Sequence, residues 1–153
     1  MLELRPYDAE PHYAPSGQPV RLGWPAAAES VPDGPLVLAL DGPAVLDWDA
    51  AVGGLSKALT GRGVAVSHLD VSARMLPWEA IQRRTTSPEL ANDPDFSKLP
   101  DGTLADVFAP APRATRPATG VLVVYGPGAA LVDHDVLWYA DLPKRFAEAA
   151  PGP

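Results

Sequence analysis

The sequence predicts an α/β fold of three layers, in which helices cover a mostly parallel sheet of about four to five strands. Three observations favour this class. Short, continuous apolar runs recur along the chain, as in strands buried on both faces of a parallel sheet. A Gly-Pro turn follows the first run, and a helical apolar pattern follows that turn. A second apolar run then completes a strand–helix–strand unit of ordinary length.

The first strand and helix are predicted at residues 36–40 and 47–61. Asp47 is expected to cap the helix, and Asp49 to complement its dipole in the first turn. The helical stripe consists of Ala51, Val52, Leu55, Ala58 and Leu59. Gly53 and Gly54 interrupt this helix at a cost of about 1 kcal/mol each relative to alanine. We expect close packing on the sheet to explain them.

Later elements are shorter and lie between proline-rich loops. In chain order we predict a strand at 64–70, a helix at 77–84, a polar insertion at 85–98, a helical turn at 104–108, a strand at 121–125, a turn at 129–132 and a strand at 136–140. A polar insertion as long as residues 85–98 is typical of a lid or of a disordered segment.

Proline and glycine divide the chain into three parts. Residues 1–34 are predicted to form an extended Pro-rich arm, which Tyr7, Tyr13 and Trp24 pin to the main body by burying aromatic area. Residues 35–146 form the α/β domain, and residues 147–153 are a disordered tail that frays.

Composition excludes several classes of function. The chain has 153 residues and a net charge of −7, and its few basic residues are too sparse to bind nucleic acid. No apolar run approaches the roughly 20 residues of a membrane span, and no signal peptide is visible, so a cytoplasmic protein without membrane contact is expected. The absence of cysteine excludes disulfides and thiolate chemistry.

The turn after the first strand has the architecture of a phosphate loop without its residues. The Walker pattern requires a second glycine, then lysine, then a hydroxyl residue. Counted from Gly42, these places hold Asp47, Trp48 and Asp49. A glycine turn also follows the third strand, where Gly126 and Gly128 would let a ligand approach the backbone closely, or would simply supply a positive φ.

Carboxylates gather at the predicted carboxyl edge of the sheet, where α/β proteins bind ligands. The candidate ligand-binding residues are Asp41, Gly42, Asp47, Trp48, Asp49, Asp70, Gly126 and Gly128. If a metal binds, Mg²⁺ held by Asp41, Asp49 and Asp70 is the candidate. Alternatively these carboxylates cap a helix or accept backbone N–H groups. Asp70 is the best candidate for a general base, but no catalytic residue and no cofactor are assigned, because no phosphate donor site accompanies it.

This pattern resembles a uridine-kinase-like P-loop fold. In those kinases a carboxylate that ends the second strand prepares the acceptor hydroxyl, and Asp70 stands at that place. Residues 92–96, Asn-Asp-Pro-Asp-Phe, look like their substrate-side loop. The resemblance implies a P-loop-kinase-like sheet. The absence of the Walker lysine means that it does not imply kinase chemistry.

A closer resemblance covers residues 35–145. It is to the domain that precedes the cupin in long bacterial class I mannose-6-phosphate isomerase-like proteins. The motifs that carry it are Asp41-Gly42-Pro43, Asp47-Trp48-Asp49, Leu69-Asp70-Val71, Tyr125-Gly126-Pro127-Gly128-Ala129-Ala130-Leu131 and Tyr139-Ala140-Asp141-Leu142-Pro143-Lys144. It implies a link to carbohydrate metabolism. The metal-binding cupin is not in this sequence, so isomerase chemistry is not carried over.

Two hypotheses of function follow, and they belong to different classes. The first is a non-catalytic, degenerate P-loop-like domain that acts as an interaction or ligand-sensing module. Its partner would be a protein, a second copy reached by the Pro-rich arm, or a small sugar phosphate or nucleotide. The alternative is a small-molecule or sugar phosphotransferase with a divergent phosphate loop and Asp-held Mg²⁺.

Overall fold

The computed structural model describes residues 20–85 and 102–143. Several expectations therefore lie outside the described residues. They are the structure of residues 1–19, the polar insertion beyond residue 85 with its Asn-Asp-Pro-Asp-Phe loop, and the segment from residue 144 to the end of the tail.

The centre of the fold is a parallel sheet of four strands, which confirms the predicted class. The strands are β1 (Leu36–Asp41), β2 (Val66–Asp70), β3 (Val121–Tyr125) and β4 (Val136–Tyr139), in the order β2-β3-β1-β4. β1 lies between β3 and β4, with Leu38 opposite both Val123 and Val136. Because β1 is paired on both sides, all its residues before Asp41 are buried, as its uninterrupted apolar run predicted.

Within residues 20–85 and 102–143, three α-helices accompany the sheet: α1 (Gly23–Glu29), α2 (Trp48–Gly61) and α3 (Trp78–Thr85). Short 3-10 helices span Ser72–Arg74, Leu104–Val107 and Ala129–Leu131. None of the helices within the described ranges is long and apolar enough to cross a membrane.

α1 lies within the range where the sequence suggested an extended arm. Its three consecutive alanines have high helix propensity, and Pro25 is tolerated in the first turn of a helix. Ala28 and Val31 are buried, so this part of the chain contributes to the core. The Arg62 guanidinium holds the end of α1 by donating hydrogen bonds to the Ala28 carbonyl and, at 3.3 Å, to Asp33.

One face of the sheet packs against α1 and α2. The buried cluster on this face comprises Ala28, Val31, Leu36, Leu38, Leu55, Leu59, Val121 and Val123. As predicted, Asp47 caps α2, where its Oδ1 accepts the Ala50 N–H at 2.9 Å. The apolar stripe of α2 also faces the core as predicted, with Val52, Leu55 and Leu59 buried.

The glycine pair of α2 does not pack on the sheet, and that expectation was wrong. A Cβ atom built on Gly54 would lie 2.3 Å from Nε1 of Trp24, so the indole of α1 lies directly on the Gly54 backbone. A Cβ atom on Gly53 would meet nothing within 4 Å. Only Gly54 is therefore required by packing, because the lack of a side chain there lets α1 contact α2.

The other face of the sheet is covered by the 3-10 helices and their neighbouring loops. Its buried cluster comprises Val37, Ala39, Val71, Phe108, Val124, Ala129 and Val132. Backbone bonds connect the covering segments to one another: Leu76 N–H donates to the Val107 carbonyl at 2.8 Å, and Ala109 N–H to that of Arg74 at 3.0 Å. The sheet is thus enclosed between an α-helical layer and a layer of short turns.

A capping box at the 3-10 helix Leu104–Val107 predicts a local pH dependence. Asp106 Oδ2 accepts the Thr103 N–H at 2.7 Å and its hydroxyl at 3.1 Å, and the pKa of Asp106 is lowered, first by the backbone hydrogen bond and then by the hydroxyl. The box therefore contributes its full stability above the ordinary aspartate pKa and loses it as the pH falls through the lowered value. In an NMR titration, Thr103→Ala should raise this pKa part of the way back. An unchanged value would show that the hydroxyl contributes nothing.

Candidate functional site

The candidate site is a crevice at the carboxyl ends of β1 and β3. These neighbouring strands send their following segments to opposite faces of the sheet: β1 leads to α2, and β3 leads to the 3-10 helix Ala129–Leu131. This is a topological switch point, the place where open α/β sheets bind ligands. All the sequence-predicted site residues lie around it, but on two different sides.

On the side of the 3-10 helix Ala129–Leu131, the Asp41 carboxylate occupies a concavity formed by backbone N–H groups, which we call the cradle. Its Oδ1 accepts the N–H of Gly42 at 2.7 Å and of Gly128 at 3.1 Å, and its Oδ2 accepts that of Ala130 at 2.9 Å. Successive backbone N–H groups that converge in this way form an anion-binding concavity. Here the anion is the chain's own carboxylate. It links the loop after β1 to the loop after β3.

Both glycine turns are sterically required. A Cβ atom on Gly42 would lie 2.5 Å from the Ala140 carbonyl oxygen. Gly128 has a φ of +88°, and a Cβ atom there would lie 2.6 Å from the Phe108 ring. Gly126 also has a positive φ, 110°, as its position after a strand suggested. The glycines thus serve the close approach of neighbouring chain segments around the cradle.

On the side of α2, an aromatic pair covers the loop after β1. The ring of Trp48 lies 3.3 Å from a Cβ position on Gly42, and its centroid is 6.1 Å from that of Tyr125 at an interplanar angle of 39°. Trp48 occupies the place of the Walker lysine. Its half-buried ring covers Gly42, whereas a phosphate loop would expose the backbone of this glycine to the phosphate. Its indole Nε1 is buried and has no hydrogen-bond partner within the described residues.

Two carboxylates face this aromatic pair. The pKa of Tyr125 is raised, first by burial of its hydroxyl and then by the negative charges of Asp70 and Asp49. Asp70 Oδ1 is already engaged, because it accepts the Ser72 N–H at 2.8 Å and the Ser72 hydroxyl at 2.6 Å. Asp70 therefore closes the turn after β2 at the edge of the crevice.

The structure separates the three carboxylates considered as metal ligands. The Asp41 side chain points to the same side as Val37 and Ala39, whereas Asp49 and Asp70 act on Tyr125 from the side of α2. In the part of the chain that the structure describes, no group of three or more His, Cys, Asp or Glu residues is placed to hold a metal ion.

The two described histidines have local partners. His68 Nε2 lies 2.7 Å from the Ser56 hydroxyl on α2, and His134 Nδ1 lies 2.7 Å from the Val132 carbonyl oxygen. Both rings therefore have hydrogen-bond partners within the fold. His12 lies outside the described residues.

Tyr125 is the site residue that the sequence analysis missed. The sequence could have indicated this residue by its position: Tyr125 is the last residue of β3, on the same side as Val121 and Val123, which face α2. A polar aromatic residue that ends a central parallel strand reaches the carboxyl edge, where it meets residues from neighbouring elements.

The ionisation of Tyr125 provides a direct test of this cluster. In an ultraviolet titration, the Tyr125 phenol should ionise above the ordinary pKa of about 10, and this step should disappear in Tyr125→Phe. Because the folded form holds this proton more tightly, stability falls as the pH rises through the raised value. Asp70→Asn should lower the pKa of Tyr125, while Asp133→Asn, which changes the net charge equally, should leave it unchanged. Equal effects of the two variants would contradict the geometry.

The fold and the crevice define an open, parallel α/β protein with an internally filled anion cradle. A family model described as a domain of unknown function (DUF8485) matches residues 23–149, and the chain therefore belongs to this family. Comparisons with curated proteins and with solved structures find no match.

Proposed function

We propose that this chain is a non-catalytic, degenerate P-loop-like α/β domain that acts as an interaction or ligand-sensing module in the cytoplasm. The observation that carries this function is the cradle at the switch point. Three backbone N–H groups that converge there are occupied by the Asp41 carboxylate. A phosphate would have to displace a tethered carboxylate and tolerate its negative charge nearby, which is unfavourable at short distance.

The start of α2 supports the same function. In phosphate loops, the helix N-terminus and a lysine act together on the phosphate. Here the Asp47 side chain caps the helix through Ala50, Asp49 adds a negative charge in the first turn, and Trp48 takes the place of the lysine. The terminus therefore lacks the positive charge that stabilises a transferred phosphoryl group.

The proposed metabolic setting rests on resemblance alone. The motifs around Asp41, Asp70 and Gly126 are similar to those of the domain before the cupin in mannose-6-phosphate isomerase-like proteins. We therefore place the module in sugar-phosphate metabolism, with a protein, a second copy, a sugar phosphate or a nucleotide as its partner. Fold-level analogy is associational, so the ligand needs a direct test.

The rival function is a phosphotransferase that uses a divergent loop and Asp-held Mg²⁺. One observation favours it, because Asp70 and Asp49 both place negative charge near the Tyr125 hydroxyl at the crevice. A divalent cation is bound by carboxylates together with water and substrate phosphates. The rival therefore requires binding of nucleotide that depends on Mg²⁺.

Thermal unfolding of the purified chain distinguishes these functions. The scan uses ATP, GTP, UDP-sugars, mannose 6-phosphate and fructose 6-phosphate, each with and without Mg²⁺. A specific ligand at 100 times its Kd adds about 2.7 kcal/mol of stability, which raises Tm visibly. A nucleotide shift that requires Mg²⁺ and disappears in Asp70→Asn would overturn the non-catalytic function. A shift with a sugar phosphate that is independent of Mg²⁺ would support ligand sensing.

If no ligand changes Tm, the chain is an interaction module rather than a ligand sensor. Light scattering then tests whether it self-associates. The measurement compares the mass of the chain over a wide range of concentration. A monomer at every concentration would exclude the second copy as partner.

A further inference from the structure

A groove between α1 and α2 is separate from the crevice and has the character of a ligand site. Its volume is about 510 Å³, and its lining includes Trp24, Pro25, Gly54, Lys57, Ala58 and Gly61. Small-molecule sites range from about 300 to 1,000 Å³ and combine apolar walls with a few polar groups. On α2 the lining residues recur at spacings of three and four, so they form one face of the helix.

The floor of the groove is an aromatic ring that is held in place yet open to solvent. Trp24 is 43% exposed although it lies against the Gly54 backbone, where a Cβ atom would be 2.3 Å from its Nε1. The ring therefore rests on a position of α2 that has no side chain. The part of the indole around Nε1 contacts α2, while the exposed part of the ring remains available for stacking.

The charges at the groove favour an anion. The Arg62 guanidinium is bound to the Ala28 carbonyl and to Asp33, and Glu29 lies 3.8 Å from Arg21. Lys57 has no hydrogen bond or ion pair in the described part of the chain. The groove thus offers Lys57, a cation with no partner among the described residues, beside an aromatic ring, while its acidic residue Glu29 has a basic partner in Arg21.

We infer that this groove binds a small, flat aromatic molecule that carries one anionic group. The ring of the ligand stacks on Trp24 and fills the apolar space beside Pro25 and Ala58. Its anionic group lies at the rim and pairs with the Lys57 ammonium. This site does not depend on the proposed function, since it uses no residue of the crevice.

The test compares 2-naphthoate with 2-naphthamide, which has the same ring but no charge. Titration of the full chain is followed by NMR, with the Trp24 indole N–H signal assigned through Trp24→Phe. For a ligand of this size we expect a Kd of about 1 mM for naphthoate and weaker binding of the amide. Higher salt should weaken naphthoate alone, because an exposed ion pair is screened.

Two pairs of variants make the result specific. Gly54→Ala displaces the Trp24 ring and should weaken naphthoate at least fivefold, whereas Gly53→Ala, which meets nothing within 4 Å, should bind normally. Lys57→Met should weaken naphthoate about three- to fivefold without changing the amide. Lys57→Arg should restore binding, and Arg113→Gln should leave it unchanged although it removes one charge elsewhere.

Several results would overturn the site. These are the absence of a Trp24 shift at 5 mM naphthoate, equal affinity for the amide, and unchanged affinity in Lys57→Met. A Trp24 signal that moves with protein concentration before any ligand is added would instead show that a second copy covers the groove.

Discussion

Asp41→Ala is expected to lower the free energy of unfolding by about 3 to 5 kcal/mol. The substitution removes the acceptor of three backbone N–H groups, those of Gly42, Gly128 and Ala130. Hydrogen bonds to a charged group contribute more than neutral ones, and the Gly42 and Gly128 donors, whose bonds are part-buried, would keep their desolvation cost without an acceptor. The loops after β1 and β3 would also lose the group that connects them.

Chemical denaturation measures this loss, and Asp47→Ala is the matched control. Asp47 accepts one exposed N–H at the start of α2, so its removal should cost only about 1 kcal/mol, the usual value of an N-cap. A loss no larger than that of Asp47→Ala would mean that the cradle contributes no more than an exposed helix cap.

A second measurement on the same variant connects the cradle to the proposed function. If Asp41 occupies an anion site, its removal leaves three N–H donors free to bind an external anion. Inorganic phosphate should then raise the Tm of Asp41→Ala more than that of the wild type, at constant ionic strength. Equal shifts would contradict the interpretation of Asp41 as an internal substitute for phosphate.

The regular elements near the sheet could be predicted because each has a clear period. The apolar run of β1 and the stripe of α2 reflect burial on both faces and on one face, respectively. β2 begins at Val66, two residues later than predicted, and the Val64 N–H donates back to the Leu59 carbonyl of α2 at 3.1 Å. Element boundaries depend on tertiary pairing, which a local pattern does not contain.

α1 could not be predicted with the same certainty, since Gly23 and Pro25 are usually breakers. Its stability comes from contacts that are distant in sequence: Trp24 lies on Gly54, and Ala28 is held through Arg62. Tertiary packing supplies most of the stability of short helices. The pattern therefore predicted an extended arm and not the helix that docks on α2.

The candidate site could be predicted only as a location. Counting from Gly42 placed Asp47, Trp48 and Asp49 at the start of α2 correctly. Two of the three partners of Asp41, Gly128 and Ala130, are 87 and 89 residues away, and they become its neighbours only because β3 lies beside β1 in the sheet. Strand order, rather than any local motif, determines which loops meet Asp41 at the crevice.

Gly120→Ala is expected to lower the free energy of unfolding by about 3 kcal/mol or more. Gly120 has a φ of +69°, and a Cβ atom there would lie 2.1 Å from the Ala65 carbonyl oxygen. That oxygen accepts the Val121 N–H at 2.8 Å, and the Gly120 carbonyl accepts the Leu36 N–H at 3.2 Å. The backbone therefore cannot move away without breaking the bonds that start β1 and β3.

Gly63→Ala separates the two causes of this loss. Gly63 has a similar φ of +79°, but a Cβ atom there would meet nothing within 4 Å. Its substitution carries only the cost of a left-handed conformation, about 1 to 2 kcal/mol. The difference in unfolding free energy between the two variants, measured by chemical denaturation, gives the cost of the steric clash with the Ala65 carbonyl oxygen. Equal losses would mean that the chain relaxes at Gly120, and that the start of the parallel sheet is less constrained than its backbone hydrogen bonds indicate.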